Sequence, residues 1–399
     1  MVLVIVNTRL LVQLVDTRGF AAHSIIASFA TWLALLNLGI PSSVQNLISR
    51  WRANHRSLVS LRQVASSLTL ICAAVFSPLV LLSAFLVHRY VLVDYSFVSL
   101  RALILAFLCM FVGGLGTVYM SMLHAEHRSI WPNFYPAATA VMVFAFLAIC
   151  RNLAIGDFNF ILSAYFLPNA LFAVLAFLLL RLRLRVDLEG TLIRQILVAA
   201  KGFALLAAMG ALTLGLDYTI LSRLLPANDV AAYSLTSKMF LVIQAIHAVV
   251  LNSSWTPLSD LYFSRQLAAA RRRALQLSLI GIALSGFWSL IVVLMAPQLY
   301  RLLAPNAVIN VPHSLLLLWV GYIVVRVWSD TFYVALQSFG DTSALRKYML
   351  FQAPISVLLQ LVLGSRYGME GLLLGIALSF VLTCAWYLPL RTAALTRVA

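Results

Sequence analysis

Four cations and two acids in this sequence lie inside long apolar runs, where binding or proton chemistry is the readiest reason for a charge. They are Arg9, Lys201, Lys238 and Arg326, with Asp217 and Asp330. A charged side chain at the centre of a bilayer costs about 2.5 to 3.5 kcal/mol even on the lenient insertion scale, so such residues normally face a partner or a wet cavity. The surplus is positive, and all but Arg9 fall in the second half of the chain. Lining a cavity, Arg9, Lys201, Lys238 and Arg326 would attract an anion, of which phosphate is the large group most readily brought to a membrane protein. Two other readings stand beside this one. Arg326 and Asp330 share a helical face at i,i+4 spacing and can neutralise each other. Lys201 and Lys238 have no acid three or four positions away, but they can snorkel toward the headgroups.

Asp217, Asp330 and His247 are the candidates for coupling an ion or a proton to movement of a substrate. His247 titrates near neutrality when unperturbed, although a hydrogen-bonded structural histidine is the alternative. Export of cationic drugs would call for buried carboxylates, and the predicted helices two to six hold none well inside their apolar runs. Asp94 and Asp157 fall in outer loops and Glu126 at an inner helix end. No nucleophile with a base, no GxSxG setting and no carboxylate pair at glycosidase spacing can be assembled, so no covalent chemistry is expected. Cys72, Cys109, Cys150 and Cys384 show no CxxC or Cys/His spacing, which points to free thiols without disulfide or metal. No Walker A sequence is present, and the GGLG cluster at Gly113 to Gly116 reads as helix packing rather than a phosphate cradle. No enzymatic activity and no cofactor are therefore expected.

These residues must be carried by membrane helices. With 63% apolar and 10% charged residues over 399 positions, the chain departs from soluble globules, in which about 25% are charged. Apolar runs interrupted by charges, prolines and glycines predict about twelve helices, near 1–15, 21–47, 65–88, 98–123, 132–151, 159–181, 193–222, 229–256, 272–303, 313–338, 344–364 and 368–390. The first run is short for a span and contains Arg9, so the first helix is expected to be truncated. Loops are short, leaving no room for a soluble catalytic domain.

Leu14 to Trp51, LVDTRGFAAHSIIASFATWLALLNLGIPSSVQNLISRW, organises the rest, because it has an echo downstream. GFAAHS at Gly19 to Ser24 matches DVAAYS at Asp229 to Ser234, and the same offset puts Arg62 on Arg272. YMSMLHAEHRS ending at Ser129 lines up with YVALQSFGDTS ending at Ser343. A duplicated half follows, with the hydrophilic connector Arg181 to Gln195 as the link. The expected organisation is an N-terminal lobe over 1–185 and a C-terminal lobe over 186–399. The formal net charge of +16 is distributed as the positive-inside rule requires, with about 17 Lys and Arg on one side and about 7 on the other, and not as a nucleic-acid patch. Even parity then puts both termini in the cytoplasm.

LLNLGIPSSVQNLISRWRA, Leu35 to Ala53, resembles the second-helix signature of the polysaccharide flippases of the MOP (multidrug, oligosaccharidyl-lipid, polysaccharide) exporter superfamily. LDYTILSRLLPANDVAAYSLTSKMF, Leu216 to Phe240, is similar to that family's seventh-to-eighth helix passage, and FGDTSALRKY, Phe339 to Tyr348, to its turn between helices ten and eleven. The sequence departs from the pattern with Asn37 where Asp is usual, and with its short first helix. The resemblance implies an all-α, MATE-like fold of two pseudo-symmetric six-helix lobes in the bacterial inner membrane. It implies a flippase for undecaprenyl-diphosphate-linked oligosaccharide, such as O-antigen or exopolysaccharide repeat units, working by alternating access with polysaccharide polymerase machinery as a possible partner. Arg9, Lys201, Lys238 and Arg326 fit its cationic cavity by position and charge. A drug or cation antiporter of the same superfamily is the competing reading. A membrane glycan polymerase or ligase would normally bring a large outer loop.

Overall fold

The computed structural model describes residues 2–53, 57–126, 128, 130–180, 182, 189–305 and 311–397, and among these the regular structure is entirely helical. In chain order the helices are α1 (Val2–Ala34), a 3-10 turn (Leu35–Asn37), α2 (Ile40–Ala53), α3 (Val59–Tyr90), α4 (Leu100–Ala125), α5 (Ile130–Asn152), α6 (Phe158–Leu179) and α7 (Gly190–Leu214). They continue with α8 (Asp217–Leu224), α9 (Ala227–Phe263), α10 (Leu267–Leu294), α11 (Ala296–Leu303), α12 (His313–Ser338), α13 (Thr342–Leu382) and α14 (Cys384–Leu395). Ten stretches of the described chain are long and apolar enough to cross a membrane.

Two of those ten each contain a reversal, which accounts for the twelve segments read from the sequence. In α13 the break is Gly368, at φ 61° and ψ −137°. A Cβ on Gly375 would stand 2.7 Å from the backbone of Leu359. In a straight helix those residues would be about 24 Å apart at 1.5 Å per residue. Residues 342–367 and 369–382 therefore form an antiparallel pair, and glycine at the break takes the positive φ without the penalty of a Cβ. In α1 the break is Asp16, at φ 59° and ψ −174°, whose carboxylate accepts the Gly19 N–H at 2.7 Å and so caps the segment that follows. Before it, Asn7 donates to the Ala140 carbonyl of α5 at 2.8 Å. After it, Phe29 lies 5.7 Å from Phe107 and Ala34 touches Gly114 of α4. The sequence marked both sites as interruptions.

The chain divides into two compact units, Val2–Ala208 and Met209–Ala399. In the first, α4 packs against α1, α2, α3, α5 and α6. Its GGLG cluster is a packing surface: a Cβ on Gly116 would come 2.4 Å from Ala173 Cβ, and one on Gly113 2.9 Å from Asn169 Cβ, so α4 and α6 meet closely only because the side chains are absent. In the second unit α12, the fourth of its six segments as α4 is of the first, packs against α9, α10, α13 and α14. The division falls inside α7. Its early part belongs to the first unit, where Ser43 donates to the Ile196 carbonyl at 2.8 Å. Its last turn belongs to the second, where Gln360 and Ser356 donate to the Thr213 carbonyl at 2.9 and 3.2 Å. Of the connector Arg181 to Gln195, residues 181 and 183–188 lie outside the described residues, and its end from Gly190 is the first part of α7.

The LLNLGIP element of the first unit is a compact turn. Leu38 (φ 53°) and Gly39 (φ 72°) are both left-handed, and the Asn37 side-chain oxygen accepts the Gly39 N–H at 3.0 Å. A Cβ on Gly39 would stand 2.5 Å from the Ala204 backbone nitrogen, so α2 approaches α7 through a position that only glycine fills. Asn37 thus supplies the acceptor that a carboxylate would supply, and its amide also reaches Thr117 at 3.4 Å.

Candidate functional site

The second unit gathers its membrane-embedded acids and Arg326 into one polar and aromatic network. At one end the Asp217 carboxylate, at the start of α8, accepts the Tyr218 N–H at 2.8 Å and the Tyr233 hydroxyl at 3.3 Å. Tyr218 shares a hydrogen bond with Ser237 at 3.0 Å and lies edge-on to Tyr233 at 5.7 Å. Aromatic rings continue the path: Tyr233 to Trp319 at 5.7 Å, then Trp319 to Tyr322 at 5.5 Å. The Tyr322 hydroxyl lies 3.2 Å from an Arg326 terminal nitrogen, and Arg326 Nε contacts both Asp330 carboxylate oxygens at 2.8 and 2.7 Å. The Gln244 amide of α9 donates to the same carboxylate at 3.2 Å. The guanidinium lies 5.2 Å from the Phe380 ring, within cation–π range.

Tyr322, Arg326 and Asp330 follow one another at four-residue spacing on α12, so a single helical face presents ring, guanidinium and carboxylate in line. The i,i+4 ion pair of Arg326 with Asp330 is formed; the side chains are 16% and 26% exposed. Burial of this degree makes the pair dependent on its hydrogen bonds, because neither charge is fully hydrated.

His247 is nearly buried on α9, with Nε2 3.0 Å from the Thr331 hydroxyl, one residue beyond Asp330. It fits because α10 carries glycine opposite it: a Cβ on Gly281 would come 2.5 Å from the ring. His247 and Gly281 also line a groove of about 540 Å³ between α9 and α10, with Arg273 and Gln276 in its lining. Lys238 is half-buried on α9, next to Ser237.

Arg9 and Lys201 stand apart from this network. Both are exposed, and both belong to the first unit, Arg9 on α1 and Lys201 on the early part of α7. The sequence reading assigned Lys201 to the lobe over 186–399; by its contacts it goes with Val2–Ala208, where the backbone of Ala200 to Ala204 packs on Gly39. Sequence reasoning passed over Tyr218, Tyr233, Gln244, Trp319, Tyr322 and Phe380. The available signal was the four-residue spacing that runs back from Asp330 through Arg326 to Tyr322. The four cysteines are buried and free, and no cluster of three metal-ligating side chains occurs among the described residues.

The geometry is that of a polytopic helical membrane protein, and comparison with known proteins finds similar ones. The MatE family model matches residues 201–362. A MATE family multidrug resistance transporter of the MOP superfamily, in an inward-facing conformation, superposes with a TM-score of 0.72 at 14% identity, covering 98% of this chain and 94% of that one. The lipid II flippase MurJ, inward closed, superposes with a TM-score of 0.68 at 12% identity, covering 98% and 85%.

Among sequence relatives, a putative O-antigen export protein of Yersinia pseudotuberculosis is 28% identical over 96% of this chain and 90% of its own length. A putative O-antigen transporter of Salmonella typhi is 25% identical over the same shares. The resemblance read from the motifs agrees with these findings: along 96% of its length the chain is similar to O-antigen export and transporter proteins, and its fold is similar to those of the MATE and MurJ structures.

Proposed function

We propose that this protein is a flippase that moves undecaprenyl-diphosphate-linked oligosaccharide units, of the O-antigen or exopolysaccharide type, across the bacterial inner membrane by alternating access. The observation that carries the reading is similarity along 96% of the chain to O-antigen export proteins. The MOP-type fold supplies the scaffold. Basic residues bind the diphosphate while the lipid tail stays in the bilayer. Lys201, Lys238, Arg9 and Arg326 are the candidates for that role, and Asp217, Asp330 and His247 for coupling an ion. The two halves, 1–185 and 186–399, act as the repeats. Both termini face the cytoplasm under the positive-inside rule, and the product is handed to polysaccharide polymerase machinery at the outer face.

The test is a triple variant, Lys201→Gln, Lys238→Gln and Arg326→Gln, in a strain whose surface polysaccharide depends on the protein. Loss of the polysaccharide is expected, and the Lys201→Gln/Lys238→Gln double variant, which leaves the Arg326–Asp330 pair intact, should also lose it with unchanged protein in the membrane. Normal polysaccharide from a well-expressed triple variant would remove these residues from the mechanism. The antiporter reading is weaker: Asp330, its best carboxylate, is already engaged by Arg326 and Gln244.

A further inference from the structure

The arginine-rich end of α10 carries a second feature that flipping does not use. A groove of about 600 Å³ is lined by Arg271, Arg272, Leu275, Gln276, Leu279 and, from the end of α14, Arg397, with Ala268 and Thr396 completing it. Three arginines line it, and its lining holds no acid. Leu275 and Leu279 lie one and two turns further along α10 from Arg271 and Arg272, and both are exposed. The order along the helix is therefore cation, cation, then exposed hydrocarbon.

The first unit holds the repeat-related groove. It is about 480 Å³, formed by Arg62 at the start of α3, Leu178 to Leu180 at the end of α6, and Arg128. Arg62 corresponds to Arg272 at the repeat offset. There, however, Arg62 is held by Glu126 at 2.6 Å. The second repeat anchor places Gly340 where the first has Glu126, and the adjacent Asp341 is paired with Arg391 at 2.7 Å rather than with the groove arginines. The positive-inside rule accounts for arginines on this side of the bundle. It does not account for a recess that brings Arg397 beside Arg271 and Arg272 above a leucine ridge.

We infer that the groove between the start of α10 and the end of α14 binds an anionic phospholipid of the inner leaflet, its phosphate on Arg271, Arg272 and Arg397 and an acyl chain along Leu275 and Leu279. Charge complementarity and the guanidinium-then-leucine order select a membrane phospholipid over a soluble anion. The inference uses the proposed orientation, but not the identity of the transported substrate.

The experiment reconstitutes the full chain in phosphatidylcholine alone or mixed equally with phosphatidylglycerol, and reads the thermal unfolding midpoint and the phosphatidylglycerol retained on extraction. Wild type is expected to melt higher in the mixture and to retain phosphatidylglycerol at least about tenfold better than Arg271→Gln/Arg272→Gln/Arg397→Gln. A variant with lysine at the three positions should keep most of the effect, and Arg128→Gln, in the neutralised groove, should leave it unchanged. If the triple glutamine variant is not recovered from membranes, Arg397→Gln alone carries the comparison, with a several-fold loss expected. Equal retention by wild type and the glutamine variant would overturn the inference, and so would inorganic phosphate alone reproducing the upward shift. Since the readout is lipid binding, failure here leaves the flippase reading untouched, and failure of polysaccharide transport leaves this one standing.

Discussion

Arg326 and Asp330 show how far residue-level reasoning reaches. Their spacing announced a possible pair, and the pair is made, with Tyr322 and Gln244 supplying further polar partners. Removing one member strands the other charge in a low-dielectric setting. Arg326→Gln or Asp330→Asn alone should each destabilise the protein by about 2 to 4 kcal/mol, while the double variant should cost clearly less than the two added together. Thermal unfolding in detergent measures all three. Tyr233→Phe removes only the hydroxyl that Asp217 accepts, so about 1 kcal/mol is expected, with normal abundance in the membrane. The aromatic members were illegible beforehand because a tyrosine in an apolar run reads as core filling. Only tertiary packing of α8, α9 and α12 shows which rings stack into a path.

At the scale of the element, charge interruptions and glycine placement carried most of the information. Asp16 and Gly368 were visible as breaks between apolar runs. What could not be read was that a single residue at each site leaves helical dihedrals while the chain turns back. Asp16→Ala should lose the cap on the Gly19 amide, costing about 1 kcal/mol, and Asp16→Asn should retain most of it. The GGLG cluster was legible as packing, but its partner on α6 was not, since sequence periodicity does not say which helix lies opposite. Gly116→Val should overpack that contact by about 1 to 3 kcal/mol or more, lowering the unfolding temperature.

For the whole molecule, composition and parity settle a polytopic all-helical protein, and the internal echo anticipates two units in which α4 and α12 hold equivalent central places. The sequence draws the lobe boundary at the hydrophilic connector, since polarity is what marks a linker in a one-dimensional reading. The compact contact units divide within α7, where Gly39 lets α2 pack on the early turns of that helix. Gly39→Ala places a methyl group 2.5 Å from backbone and strains a positive φ, so it should reduce folded protein in the membrane far more than Gly286→Ala, where open space surrounds the glycine. Quantitative immunoblotting of membrane fractions separates the two.

The turn at Asn37 has one further consequence. An amide holds no dissociable proton, so the bend joining the 3-10 segment to α2 keeps its internal bond in acid and alkali alike. That corner of the molecule is deaf to acidity, and any response to protons must be heard at its titratable residues instead.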